Sequence, residues 1–349
     1  MRLDEALSLQ RAFEAELLTS VRPAPGVGDR VIQAFGKDES VRDVLRDAVA
    51  EAIRPGGVAS TLTPPMLGIS AAGWGQYRVA VRIERESPSQ AEFLRRVETE
   101  TRGEFDVRVV GRLRRLQSRD WGRGRRRPLA IGSSISLATA TAGTLGCFAR
   151  SPGQSSLELL SNNHVIADSN RAKLGAVIVQ PGLQDGGKAP DDAVATLSRF
   201  LALEPDVPNG ADCALGLLAD GMPADPVSLP DGRRLEGVAE PASVADLLDL
   251  EVFKVGRTTG VTRGRVSVVN LQPRIWYGPQ RLSFAGQLEI DGGGSRFSGP
   301  GDSGSLVVAV REGSACEAVG LLFAGSAQGL SYATPMGTLL GTLGVTLAV

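Results

Sequence analysis

Histidine is almost missing from this 349-residue chain, which has only one, His164. Cysteine is scarce as well. Cys147, Cys213 and Cys316 are far apart and form no CxxC pair, so a structural zinc site lacks the paired ligands it needs. An odd, scattered set of three also makes a poor disulfide framework, and a reducing cytoplasm is the expected compartment. Apolar runs fall short of a bilayer span, which argues against a membrane partner. The opening segment MRLDEALSLQRAFEAELLTS carries several acids and no apolar h-region, unlike a secretory signal. A net charge of −1 gives no pull toward nucleic acid or an anionic surface. No G-x-G-x-x-G follows a strand and no GKS or GKT phosphate loop occurs, so no nucleotide cofactor is expected.

Glycine is abundant instead. Its 43 copies, without a repeat, imply many tight turns and favour a β-rich architecture over helices. Residues 3–18 place Leu3, Leu7, Phe13, Leu17 and Leu18 near helical spacing, and Pro23 and Pro25 follow. VRDVLRDAVAEAI (41–53) repeats the stripe until Pro55-Gly56-Gly57. YRVAVRIE (77–84) alternates as a strand, SQAEFLRRVETET (89–101) reads as a helix, and FDVRVVGRL (105–113) as a second strand, together a β-α-β unit. RLRRLQSRDWGRGRRRP (112–128) then breaks every hydrophobic period with eight arginines. It reads as an exposed, protease-accessible linker in preference to a nucleic-acid tail. From about residue 129, short alternating runs between glycine and proline turns predict an all-β barrel or sandwich. The expected organisation is therefore a helical and small α/β domain over 1–111, a linker over 112–128 and a β domain over 129–349. The N-terminal domain can serve as packing for the β domain, as a self-association surface for a homo-oligomer, or as the seat of a regulatory partner.

The chemistry concentrates in three stretches. GPGDSGS surrounds Ser303, a hydroxyl that is a poor nucleophile without a positioned base. The glycines let the loop fold tightly, so the amides of Gly301 and Ser303 can face one spot and stabilise an oxyanion. SNNHVIAD places His164 after the apolar run LELLS, and an imidazole with an ordinary pKa of about 6.5 suits general-base work. An orienting carboxylate should lie between them. Asp192 has Asp191 beside it and looks solvated, whereas Asp212 is a single acid entering the apolar run CALGLL and is preferred.

With these motifs in place, residues 130–349 resemble a trypsin-like, chymotrypsin-fold serine protease. NNHV, ADCALGLL and GPGDSGSLVV carry the likeness in the order His, Asp, Ser. KVGRTTGVTRGRV (254–266) and the upstream β-α-β pattern are similar to the branch that holds the plant Narrow leaf proteins and bacterial relatives. The resemblance implies a double β-barrel, preceded here by the small α/β domain. It makes His164 the base, Asp212 its orienter, Ser303 the nucleophile, Gly301 and Ser303 the oxyanion amides, and Asp302 a structural residue of the loop. It implies a polypeptide substrate and acyl-enzyme hydrolysis. It also puts Phe297 and Ser298, with the strand Phe323-Ala324-Gly325, around the primary substrate pocket. No acid occupies position 297, so an apolar or small side chain is the expected preference. The trypsin disulfides and an Ile-Val activation terminus are missing. A latent or inactive protease-fold scaffold is the alternative from a different class. An esterase is a third reading, weakened because Ser303 lies in G-D-S-G and not in a G-x-S-x-G elbow.

Overall fold

The structure, a computed structural model, describes residues 1–19, 64–73, 75–84, 88–110, 113–115, 124–310 and 315–349. The helix expected over 41–53 and the middle of the arginine-rich stretch lie outside the described residues. The chain divides into two compact units. The first holds Met1–Leu113, Glu204–Gly210 and Ser267–Gln287; the second holds Arg114–Leu203, Ala211–Val266 and Leu288–Val349.

The first unit contains α1 (Leu3–Thr19), β1 (Met66–Gly73), β2 (Gln76–Ile83), α2 (Pro88–Glu100) and β3 (Phe105–Val109). β2 and β3 pair in parallel, so α2 makes the crossover that the alternating and helical periods predict. β1 runs antiparallel to β2 and meets Val269 through Ile69. α1 buries Ala6 and Phe13, and the Phe13 ring stands edge-on to Phe93 of α2, with centroids 5.9 Å apart. Such a pair adds about 0.5–1.5 kcal/mol beyond its burial. The segment 267–287 joins this unit through Gln272 N–H, which donates to Leu67 O at 3.2 Å, and it holds 204–210 in turn: Asn209 N–H donates to Ser283 O at 2.8 Å, and Gln287 Nε2 to Gly210 O at 3.0 Å.

The second unit is mainly β. Its first barrel draws on β5 (Ser134–Leu137), β6 (Gly143–Thr144), β7 (Cys147–Arg150), β8 (Glu158–Ser161), α3 (Asn163–Ile166), β9 (Val177–Val179), β10 (Ala193–Phe200) and β11 (Ala214–Leu218), preceded in the chain by the short strand β4 (Arg114–Arg115). The second is built from β12 (Glu251–Gly256), β13 (Gly260–Leu271, counted with the first unit from Ser267 on), β14 (Gln287–Asp291, counted with the second unit from Leu288 on), β15 (Leu306–Val310), β16 (Ala315–Gly325) and β17 (Ser331–Pro335). α4 (Met336–Leu343) and β18 (Thr346–Leu347) close the chain, β18 pairing back onto β7. The arrangement is mainly β, one barrel closed and the other a half-barrel, as the short alternating runs predict.

A continuous core fills this unit, with Phe148, Leu159, Leu160, Ile166, Leu215, Leu306 and Leu321 excluded from solvent. Truncating any one of these leucines to alanine should cost about 2–5 kcal/mol. No helix among the described residues is long and apolar enough to cross a membrane.

Candidate active site

Strand register brings the first two residues together. β8 and β11 are antiparallel, with Ser161 opposite Ala214. Two steps beyond Ser161 therefore face two steps before Ala214, which sets the turn of α3 against Asp212. His164 Nδ1 hydrogen-bonds Asp212 Oδ2, and the His164 backbone N–H donates to Asp212 Oδ1 at 3.2 Å. Asn162 Nδ2 donates to the Asp212 carbonyl at 2.7 Å. The carboxylate is fully buried and the imidazole 4% exposed. Asn163 braces the other side of the turn. Its amide donates to Asn170 Oδ1 at 2.8 Å and to Leu201 O at 2.7 Å, and Asn170 ties in turn to Leu203. These bonds hold the run Asp168-Ser169-Asn170, whose φ values of 50, 52 and 73° are left-handed.

The loop around Ser303 is fixed carbonyl by carbonyl. Pro300 O accepts from Thr258 Oγ1 at 2.7 Å, and Gly301 O from Thr144 Oγ1 at 2.9 Å. Asp302 O accepts from Ser305 N–H at 2.9 Å, and Ser303 O from Thr144 N–H at 2.8 Å. In a trans peptide the N–H points opposite to the preceding C=O. The Gly301 N–H is thereby turned away from Thr258, and the Ser303 N–H away from Ser305. Asp302 lies beneath, fully buried. Its carboxylate accepts from the N–H groups of Thr258, Thr259 and Gly299 at 2.9, 3.1 and 2.9 Å and from Thr259 Oγ1 at 2.6 Å. Lys254 Nζ completes the cage at 3.4 Å. Removing one partner of such a buried pair costs about 3–5 kcal/mol.

Two glycines bring the serine loop close to the histidine turn. A Cβ on Gly143 would lie 2.5 Å from the Val165 side chain and 2.9 Å from Ser303 O, so residue 143 is wedged between the neighbour of His164 and the backbone of Ser303. Gly304, at φ +89°, would place a Cβ 2.3 Å from Ser161 Oγ. Ser161 Oγ itself donates to Thr144 O at 2.7 Å.

The remaining candidates fall in different places. Asp192 accepts from Lys188 N–H at 3.0 Å and pairs with Arg125 at 3.2 Å, in contact with neither His164 nor Ser303 in any bond described. Phe297 is fully buried, and a Cβ on Gly264 would sit 2.8 Å from its ring. Ser298 Oγ bonds Ser331 Oγ at 2.7 Å. Phe323 and Ala324 are buried on β16, and Gly325 ends that strand. Sequence reasoning did not identify Thr144, Lys254, Thr258 and Thr259 as supports of the serine loop, although it singled out 254–266 as a motif. It also missed the buried ion pair in which Arg257 Nε donates to Asp185 Oδ2 at 2.7 Å. Nothing in the local pattern links residues that far apart. The Cys213 thiol, beside Asp212, is pushed up mainly by burial and further by that carboxylate. Among the described residues, no group of three His, Cys, Asp or Glu could hold a metal ion.

No family model and no curated protein matches this chain. Among solved structures it is similar to a glutamic acid specific serine protease, at 19% identity and a TM-score of 0.45, over 63% of this chain and 100% of that one. It is also similar to Thermobifida fusca protease A, at 18% identity and a TM-score of 0.42, over 63% and 99% of the two chains. A Nocardiopsis protease gives 15% identity and a TM-score of 0.44, over 63% and 99%.

Proposed function

We propose that the second unit is a serine endopeptidase. The observation that carries this reading is the double hold of Asp212 on His164, through the ring Nδ1 and through the backbone N–H. A buried carboxylate on Nδ1 fixes the tautomer in which Nε2 accepts a proton, and it stabilises the imidazolium that follows. Ser303 Oγ attacks the scissile carbonyl and its proton passes to His164 Nε2. The negative charge that develops on the carbonyl oxygen is met by the amides of Gly301 and Ser303, whose directions follow from the pinned carbonyls before them. The imidazolium then protonates the leaving amine, the C–N bond breaks, and an ester to Ser303 remains. Water, deprotonated by the same imidazole, attacks that ester, releases the acid and returns the proton to Ser303.

The primary pocket in this reading is bounded by Phe297, Ser298 and Phe323-Ala324-Gly325. An aromatic ring at its base, with no carboxylate at that position, favours apolar or small side chains over arginine. The likeness of KVGRTTGVTRGRV to the Narrow leaf branch is the sequence ground for placing the chain there, and in this chain Lys254, Thr258 and Thr259 of that stretch cage Asp302.

The test is labelling of the purified chain with a small alkyl fluorophosphonate, beside Ser303→Ala and His164→Ala. Labelling of the native chain at Ser303 and of neither variant is expected. A folded native chain that stays unlabelled would sink the reading and leave a protease-fold scaffold.

A further inference from the structure

The inference concerns regulation of the same site and rests on the peptidase reading above. β16 offers one edge to two neighbours in succession. Along its first part that edge pairs with β15, with Leu321 opposite Leu306. The pairing continues past the strand's end, as Gly304 N–H donates to Leu322 O at 2.8 Å and Leu322 N–H to Ser305 O at 2.9 Å. At Ser303 the serine loop leaves the edge. Two residues further along, about 7 Å at strand spacing, the edge is taken up again: Ala324 pairs with Arg115 and Gly325 with Arg114, antiparallel. The chain direction matters. Running from Arg114 to Arg115, the short strand β4 travels from Gly325 toward Leu322, which is toward the segment that carries Ser303.

An open strand edge beside a nucleophile is where an extended polypeptide adds by main-chain hydrogen bonds. Here that edge is already filled, by the chain's own arginine-rich stretch. The sequence alone suggests an exposed linker at this point. The structure instead gives Arg114–Arg115 a ladder, because backbone pairing needs no apolar side chain and so leaves no hydrophobic period to read.

We propose that Arg114–Arg115 is an intramolecular ligand of the Ala324–Gly325 edge, holding the peptide-binding strand of the intact chain occupied. It lies on the side where residues N-terminal to a scissile bond would pair. A tethered strand competes at an effective concentration in about the millimolar range, so a peptide at lower concentration reaches the edge only when β4 leaves it. A small electrophile that needs no strand pairing is not subject to this competition.

The experiment uses the full chain with Arg114→Pro and Arg115→Pro, which remove a backbone donor and cannot continue a ladder. Arg114→Ala and Arg115→Ala keep the backbone and serve as controls. Each protein is treated with the small fluorophosphonate and, separately, with a fluorogenic tetrapeptide amide. Equal labelling of Ser303 throughout is expected, with peptide kcat/KM raised about tenfold or more in the proline variants. The alanine variants should stay within about twofold of the native chain, because the ladder is made by backbone groups. Equal peptide turnover in all five proteins, with Ser303 labelled, would overturn the proposal. Failure of the peptidase reading looks different, since Ser303 is then unlabelled in every protein. In that case hydrogen exchange over 323–325 decides the occupancy: faster exchange confined to the proline variants supports it, and identical exchange rejects it.

Discussion

Thr144, which no motif singles out, touches the serine loop at two points. Its hydroxyl donates to Gly301 O and takes the Arg257 backbone N–H at 3.2 Å. Its own N–H holds Ser303 O, and its carbonyl is held by Ser161. Thr144 thus anchors the carbonyls of Gly301 and Ser303, each on the far side of its Cα from the proposed oxyanion amide, so it acts on the placement of the loop and is a positioning residue. Thr144→Val keeps the shape and the backbone bonds but frees the Gly301 carbonyl. It should lower kcat about tenfold with KM little changed, short of the roughly 10²–10³ that loss of an oxyanion donor costs. Thr144→Ser keeps the hydroxyl and should recover to within about twofold. A purely structural role would move the melting temperature of the valine variant and leave kcat alone. At Asp212 the expected effect is larger. Asp212→Asn preserves the packing but permits the wrong tautomer of His164, and kcat for an amide substrate should fall by about 10⁴. A loss of less than tenfold would remove Asp212 from the proposed machinery.

At the scale of elements, α1 carries a charge problem that only its packing explains. The Glu14 carboxyl is raised from 4.5 to about 7 because burial strips water from it, against the opposing pull of Gln10 and of the guanidiniums of Arg11 and Arg274. Between those two values the folded chain keeps a proton that the unfolded chain has released. Stability therefore falls as pH rises through this window and levels off above it. Hydrogen exchange of residues 3–19 should accelerate from about pH 4.5 to 7 beyond the intrinsic rate. Glu14→Gln should remove that excess; an unchanged excess in the variant would assign it elsewhere.

Elements with a strong period were legible in the sequence: α1, the β2-α2-β3 unit and the apolar strands that flank His164 and Asp212. β1 was not, because MLGISAAG is rich in glycine and alanine and buried without clean alternation. The motifs single out His164, Asp212 and Ser303 as candidates, and register explains why Asp212, and not Asp192, meets the imidazole. The cage around Asp302 was hidden, since a buried carboxylate gathering backbone N–H groups leaves no sidedness in the sequence. The assignment of 204–210 and 267–287 to the first unit was hidden for a related reason. Their partners are distant in the chain, and local pattern carries no information about distance.

Considered as a whole molecule, the chain places all three of its cysteines in the second unit, each buried and outside any disulfide. Burial pushes the Cys147 thiol from 9.0 to about 12 and drives Cys213 and Cys316 upward too. A buried neutral thiol is inert toward aromatic disulfide reagents, so modification must wait for the second unit to open. In native buffer near neutral pH, such a reagent should count no thiols promptly and three after denaturation in guanidinium. Prompt reaction of any one would mean that its strand is open in the folded protein. The same shifts set an alkaline limit. Above about pH 9 the unfolded chain releases thiol protons that the folded chain retains, so stability must decline as pH rises further. The urea midpoint of the second unit should therefore be lower at about pH 10 than at pH 8, and Cys147→Ala should flatten that decline. If the variant falls as steeply as the native chain, the alkaline loss belongs to groups other than this thiol. Cys147 would then report opening of the fold without contributing to its pH dependence.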